Sequence, residues 1–514
     1  MNPWLSRFAV IAVALPACRP SPLVTAPVTT SASTPAQGYA GRGRAIEDAD
    51  ITTALLNALK DDSALSGAVV RVTTWKGIVE LSGTAPSLLA RERATRHAEI
   101  LRGVRSVVDR IAVEHAAIED GALTRDIGEA LERDPATRDA QLGVAVQHGV
   151  VTIRGATRSI AGKHLATTVV SGVRGVQEIR NEIDVVGGPP RSDAAIAAEV
   201  SSRLRWDVFV DDGGLVVRSR AGVVELEGAV ASAAEKRRAV TDAWVGGVTD
   251  VEAAGLHVDP WLRPGDPRRD DGASPPADAV ERAVRDALVV DPRINVLRVH
   301  VAVSRGLATL RGTVPTLAAR AAAAQVARDT VGVHAVANLL AVSAAGAPSD
   351  SEIERRVSAA LAVDPYTEGR GVVARVVEGT VTLSGGVGSI FEKAEAESVA
   401  ANVSGVRAVE NALAVRDASR AHTTNRYLVP YGRSATIAIA APIAPAKPDS
   451  TIHSELVRRL AITPFVDPHT IEARIHAGRV VLTGTVPTWR AWLAASDAAW
   501  HAGASGVENR LLIR

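Results

Sequence analysis

One seven-residue pattern, a glycine, an alternating apolar stretch and a second glycine, is written six times along this chain, at Gly77 to Gly83, Gly149 to Gly155, Gly222 to Gly228, Gly306 to Gly312, Gly379 to Gly385 and Gly478 to Gly484. In the fifth copy Val381 and Leu383 fall on one face of a strand, while Thr380, Thr382 and Ser384 fall on the other, the period of a half-buried strand. The first glycine suits the positive φ of a tight hairpin turn, and the second is expected to let the chain leave the strand toward a helix. Leu or Ile stands two places before the closing glycine each time: Leu81, Ile153, Leu226, Leu310, Leu383 and Leu482. The chain is therefore read as a tandem array of one small module.

Around each hairpin the order is helix, strand, strand, helix, strand, an α+β module of roughly 65 residues, longer than the common solenoid periods. Modules are expected at 46–114, 122–186, 192–258, 278–343, 350–415 and 449–514, with linkers at 19–45, 259–277 and 416–448. In the first, Asp50 is expected to cap a helix whose Ile51, Ala54, Leu55, Ala58 and Leu59 form an apolar stripe. The third departs at its end, with Ala253 and Gly255 where the others carry Asn and an aliphatic residue. The fourth and fifth are separated by few residues and are expected to pack as one block. Units this small bury only about 60% of their unfolded surface, so contacts between modules are expected to matter.

Recurrence inside the chain singles out further positions. Four residues past the closing glycine stands a hydroxyl suited to cap the second helix: Ser87, Ser159, Ser232, Thr316, Ser389 and Thr488. Glu235 and Glu392 complete capping boxes in two modules. Eleven past it stands alanine in every copy, a packing signature that lets the helix approach the sheet. Eight past it stand Arg91, Lys163, Lys236, Arg320 and Lys393, then Trp492. A cation in the first turn opposes the helix dipole by about 0.3–1 kcal/mol, so its return asks for compensation. Two compensations are open: a carboxylate at the end of the first helix, such as Asp134, Asp291 or Asp364, or a bound anion at the helix N-terminus. Several weak anion sites in tandem would act by avidity. In the sixth module Trp489, Trp492 and Trp500 share a helix face that suits either a core or a membrane interface.

With a formal net charge of +1, the chain lacks the basic excess of a nucleic-acid protein. The single cysteine, Cys18, ends Leu15-Pro16-Ala17-Cys18, which follows the short apolar stretch from Phe8 to Leu15. This resembles a signal segment (1–18) with a bacterial lipobox, and lipidation of Cys18 is the expectation, with a plain cleaved signal as the alternative. The 19–45 stretch has the Pro, Ser, Thr and Ala composition of a tether. No catalytic constellation is found. Gly162-Lys163 lacks the spacing of a phosphate loop, with His164 in place of Ser or Thr, and no His-Glu-x-x-His or cysteine pair offers a zinc site. Neither enzyme activity nor a cofactor or metal is expected.

The hairpin, the hydroxyl-capped helix and a Gly-Val-x-x-Val-x-Asn-x-aliphatic tail together resemble the BON domain. That tail is clear at Gly175, Val176, Ile179, Asn181 and Ile183, and again at Gly405, Val406, Val409, Asn411 and Leu413. The fourth and sixth modules keep Asn338 and Asn509 in it, and the first has Asp109 instead. The resemblance implies two helices on a three-stranded mixed sheet. It also implies envelope proteins that bind phospholipid or attach to membranes, often under osmotic stress. The expected partner is thus an anionic phospholipid surface, met from the periplasm by a chain anchored to the outer membrane. The alternative is a scaffold for envelope proteins or cell-wall polymer.

Overall fold

A computed structural model describes residues 46–115, 118–186, 191–260, 262, 275–343, 346, 348–417, 447–463, 466–486 and 489–513. Cys18 with the stretch before it, Thr488, and most of the third linker lie outside these residues.

Module one sets the pattern. Helix α1 (Asp48–Asp61) is followed by strands β1 (Val69–Trp75) and β2 (Ile78–Ala85), helix α2 (Leu88–Glu99) and strand β3 (Ser106–Val113). β1 and β2 pair antiparallel, ending at Trp75 opposite Ile78, and β3 runs parallel to β2 from Ser106 opposite Ile78. The central strand is therefore β2. Its Val79 and Leu81 are fully buried under the two helices, while the opposite face of the sheet carries no helix of its own module. The other modules repeat this with helix pairs α3 (Asp120–Arg133) and α4 (Ile160–Ser171), α5 (Asp193–Trp206) and α6 (Ala233–Ala243), and α7 (Ala277–Val290) and α8 (Leu317–Arg328). The last two pairs are α9 (Asp350–Val363) and α10 (Ile390–Ala401), and α11 (Asp449–Ile462) and α12 (Trp489–His501).

At the hairpin tip both central residues, Lys76 and Gly77 in module one, have positive φ (50° and 74°), the backbone of a type I′ turn. The closing glycine answers to a different need than an exit toward the helix. A Cβ on Gly312 would lie 1.9 Å from the Arg298 carbonyl oxygen across the hairpin, at φ +121°, and the strand continues past it to Val314. Close backbone approach inside the strand is what excludes a side chain there.

The first-helix start also differs from expectation. In module one the cap position is Glu47, without a side-chain bond, and Asp50 lies inside the helix. In module three the last strand is broken into Asp250–Glu252 and Leu256–Val258. The break falls at the Ala253 to Gly255 departure, and fully buried Leu256 fills the aliphatic site one residue late.

Each module has its own apolar cluster. The recurring alanines Ala94, Ala166, Ala239, Ala323, Ala396 and Ala495 are all fully buried. These small cores are completed by neighbours. Trp206 at the end of α5 packs on the core of module four, and Val363 at the end of α9 packs on that of module two. The same junctions carry backbone bonds: Val331 N–H to the Trp206 carbonyl (2.9 Å), Val208 N–H to the Asp329 carbonyl (2.9 Å), and Arg174 N–H to the Val363 carbonyl (2.8 Å). Module one meets module six through Arg102, whose guanidinium donates to the Ala461 (3.1 Å), Thr463 (3.5 Å) and Val466 (3.4 Å) carbonyls. Arg102, Arg174 and Val331 each precede the glycine that follows a second helix. Equivalent positions thus join modules one to six, through a side chain, and two to five and three to four, through backbone amides, a nested order in which the chain doubles back. The fourth module does touch the fifth, through Leu317, but its backbone partner is the third.

Candidate functional site

The six positions eight past the closing glycine are all half-buried, and most are engaged within their own module. Arg91 Nε donates to Asp109 at 2.9 Å. The Lys236 ammonium, held below its ordinary pKa by burial, donates to the Leu256 carbonyl, and Lys393 donates to the Leu413 carbonyl at 2.8 Å. Those two carbonyls lie at the interruptions of the last strand in modules three and five, where sheet pairing lapses. In these two modules the cation therefore compensates a broken strand, and its partner within the module is a carbonyl and not a first-helix carboxylate. Trp492 packs against the module-six core. The Lys163 ammonium and the Arg320 guanidinium have no hydrogen-bond or ion-pair partner among the described residues.

The tail asparagine explains its own recurrence. Asn181, Asn338, Asn411 and Asn509 each donate to the carbonyl of the residue eight past the glycine, at 2.7–2.9 Å. Each also accepts from the amide two residues on. The side chain bolts the second helix to the last strand. In module one Asp109 cannot donate, and Arg91 turns toward it instead.

Five hydroxyls cap their helices: Ser87, Ser159, Ser232, Thr316 and Ser389 each accept from the amide three residues on. Glu235 and Glu392 reach one residue further back than a standard capping box, to the amides of Ala231 (3.0 Å) and Gly388 (2.7 Å). With the cap amide already taken, a second-helix N-terminus has less to offer an anion.

Asp134, Asp291 and Asp364, considered as partners for those cations, do other work, which Asp62 and Asp207 share. Asp62, Asp134, Asp207, Asp291 and Asp364 all follow the first helix, all are buried, and each accepts from the amide two residues on. In module one this carboxylate also meets Arg93 Nε (2.5 Å) and His97 Nε2 (2.6 Å) of α2. Burial opposes its charge, yet the Arg93 and His97 interactions outweigh that and hold the carboxyl far below the usual carboxylate range. Asp207 and Arg238 repeat the pair in module three. Asp134 instead reaches across to Asn402 of module five at 3.2 Å.

A second recurrence joins residues too far apart for a local pattern to reveal. Asp48 accepts from the turn amides of Lys76 (2.6 Å) and Gly77 (2.8 Å). Asp120, Asp193, Asp350 and Asp449 do the same for their own turns, and module four has Ala277 at that place. The signal in the sequence is an aspartate 29 residues before the turn glycine in five modules of six.

A half-open cleft of about 130 Å³ lies where modules two, four and five meet, with Arg133, Arg293 and Asp364 on a wall otherwise formed by residues such as Leu165, Val173 and Val399. Among the described residues no group of three or more His, Cys, Asp or Glu is placed to hold a metal. No helix among them is long and apolar enough to cross a membrane.

Comparison with known proteins agrees with the repeat. The BON domain family matches at residues 47–115, 119–187, 192–260, 276–344, 349–417 and 448–514. The chain is 30% identical over 148 residues to "Osmotically-inducible protein Y" of Escherichia coli (strain K12), covering 27% of this chain and 74% of that protein. Among solved structures, the C-terminal domain of CdsD, a structural protein of the type III secretion system of Chlamydia trachomatis, is 17% identical. That alignment covers 41% of this chain and 98% of the solved domain, with a TM-score of 0.12. With six matches that span most of its length, this chain belongs to the BON domain family.

Proposed function

We propose that the chain is a non-enzymatic bacterial envelope protein that contacts anionic phospholipid surfaces, in envelope maintenance or osmotic stress. Its relative's name and its family support the setting. The observation that carries the lipid contact is the pair of half-buried cations, Lys163 and Arg320, beside the first turns of α4 and α8, whose charged groups meet no partner among the described residues. Arg91, Lys236 and Lys393 are occupied within their modules and contribute less. Anchoring through a lipidated Cys18 would place the chain at a membrane from the periplasmic side. One acyl chain alone anchors only marginally, so protein–lipid contacts add to it.

Cosedimentation with vesicles tests this. The chain from Arg19 onward binds anionic vesicles in a salt-sensitive way and ignores neutral ones, and Lys163→Glu with Arg320→Glu weakens the binding. Absence of binding at low salt contradicts the reading. It would favour the scaffold reading, to which the exposed Leu297 and Val289 of module four lend support as a protein contact.

A further inference from the structure

The helix-free face of the sheet is exposed in module one, and its composition there is unlike that of its counterparts. Cross-strand register sets its side chains in rows: Arg71, Ser82 and Arg110; then Thr73, Glu80 and Val108; then Trp75, Ile78 and Ser106 nearest the turn. Trp75 is 65% exposed and Val69, on the same face, 71%. Lys76 stands over the Trp75 ring, its ammonium 4.6 Å from the centroid.

The equivalent places in the other modules do not repeat this. Where module one has Trp75, they have Gln147, Arg220, Ser304, Val377 and His476. Opposite the central strand, where module one has Val108, they have Arg180, Glu252, Ala337, Glu410 and Glu508. Module four comes nearest, with Leu307 and Leu339, but has no aromatic.

The charges around this apolar centre are unbalanced. Arg71, Lys76, Arg105 and Arg110 are exposed, against two carboxylates: Glu80, which lies 3.5 Å from Arg110, and Asp48, which accepts the turn amides of Lys76 and Gly77. An aromatic ring with an apolar body, flanked by aliphatic side chains and ringed by cations, matches the chemistry of a bilayer interface with anionic headgroups. Module one is also the module next in sequence to Cys18, separated from it by the 19–45 stretch, which favours a surface contact there over one on a distant module.

We propose that the open sheet face of module one, centred on Trp75, Ile78 and Val108, is where the chain seats on an anionic bilayer surface. This rests on the membrane reading above and adds a second, module-one contact to that of Lys163 and Arg320. The rim cations meet headgroups while the Trp75 ring enters the interfacial layer.

The test uses the chain from Arg19 onward, which retains all six modules, with vesicles of phosphatidylcholine alone or mixed with phosphatidylglycerol. Trp75→Ala lowers affinity for the mixed vesicles by about tenfold or more, and Arg71→Glu with Arg110→Glu does likewise at low salt. Unchanged circular dichroism of these exposed-site variants shows that the fold persists. Wild-type binding that Trp75→Ala leaves intact overturns this inference while the membrane reading stands. Failure of the wild type to bind at all defeats both. A wild type that sediments as a dimer, converted to monomer by Trp75→Ala without loss of vesicle binding, shows the face to be covered by a second copy and also overturns it.

Discussion

The Asp48 carboxylate accepts both turn amides of the hairpin, from Lys76 and from Gly77, and so ties the start of α1 to the tip of the sheet. Module four lacks this clip because Ala277 stands where the others have aspartate. Asp48→Ala is expected to destabilise module one by about 1–2 kcal/mol. Ala277→Asp is expected to stabilise module four by roughly 0.5–1 kcal/mol, since it supplies an acceptor to amides of the Arg305-Gly306 turn and a negative charge to a helix N-terminus. Urea denaturation of both variants checks the pair, and equal midpoints for Ala277→Asp and wild type would count against the clip.

Asp62 and Arg93 form a deeply buried ion pair in module one, with His97 Nε2 beside the carboxylate. Removing the carboxylate by Asp62→Asn strands the Arg93 charge and is expected to lower stability by about 3 kcal/mol or more near neutral pH. The folded carboxyl titrates below the unfolded one. The unfolded chain therefore takes up the proton first as pH falls. The wild-type advantage is fully present above about pH 4 and shrinks as pH drops from there toward the folded value. Stability curves at several pH values read this directly, and a difference that holds constant from pH 5 to pH 2 contradicts it.

The closing glycines divide sharply from an ordinary helix glycine. Gly312→Ala places a methyl against the Arg298 carbonyl at positive φ and is expected to cost more than about 2 kcal/mol. Gly128, within α3, has nothing within 4 Å of a built Cβ. Gly128→Ala is expected to gain roughly 0.5–1 kcal/mol. Thermal unfolding of the two variants should move in opposite directions, and matching shifts would undo the distinction.

The module was legible because its determinants are local: turn glycines, strand alternation, hydroxyl caps and a buried alanine all sit at fixed offsets. What joins one module to another was not. Arg93, Arg96 and Glu99 give α2 the look of a solvated helix, yet Arg93 lies 5.1 Å from the Phe391 ring of module five and Glu99 pairs with Arg237 of module three at 2.9 Å. Burial lowers the Arg96 pKa to about 10 and raises that of Glu99. Charged side chains in such places stay compatible with water in any sequence pattern, so only the assembled neighbours reveal that they are covered. The role of Lys236 and Lys393 was hidden for a related reason, because their acceptors are backbone carbonyls, which residue types do not announce. Cys18 and Thr488 lie outside the described residues, and the expectations for them rest on sequence alone.

The six modules of residues 46–514 close on one another, one with six, two with five and three with four, to form one unit. Small-angle X-ray scattering on that segment tests it most directly. A radius of gyration of about 23 Å is expected, that of a single compact body of this length. A value above about 35 Å, as for modules strung out along their linkers, would contradict it.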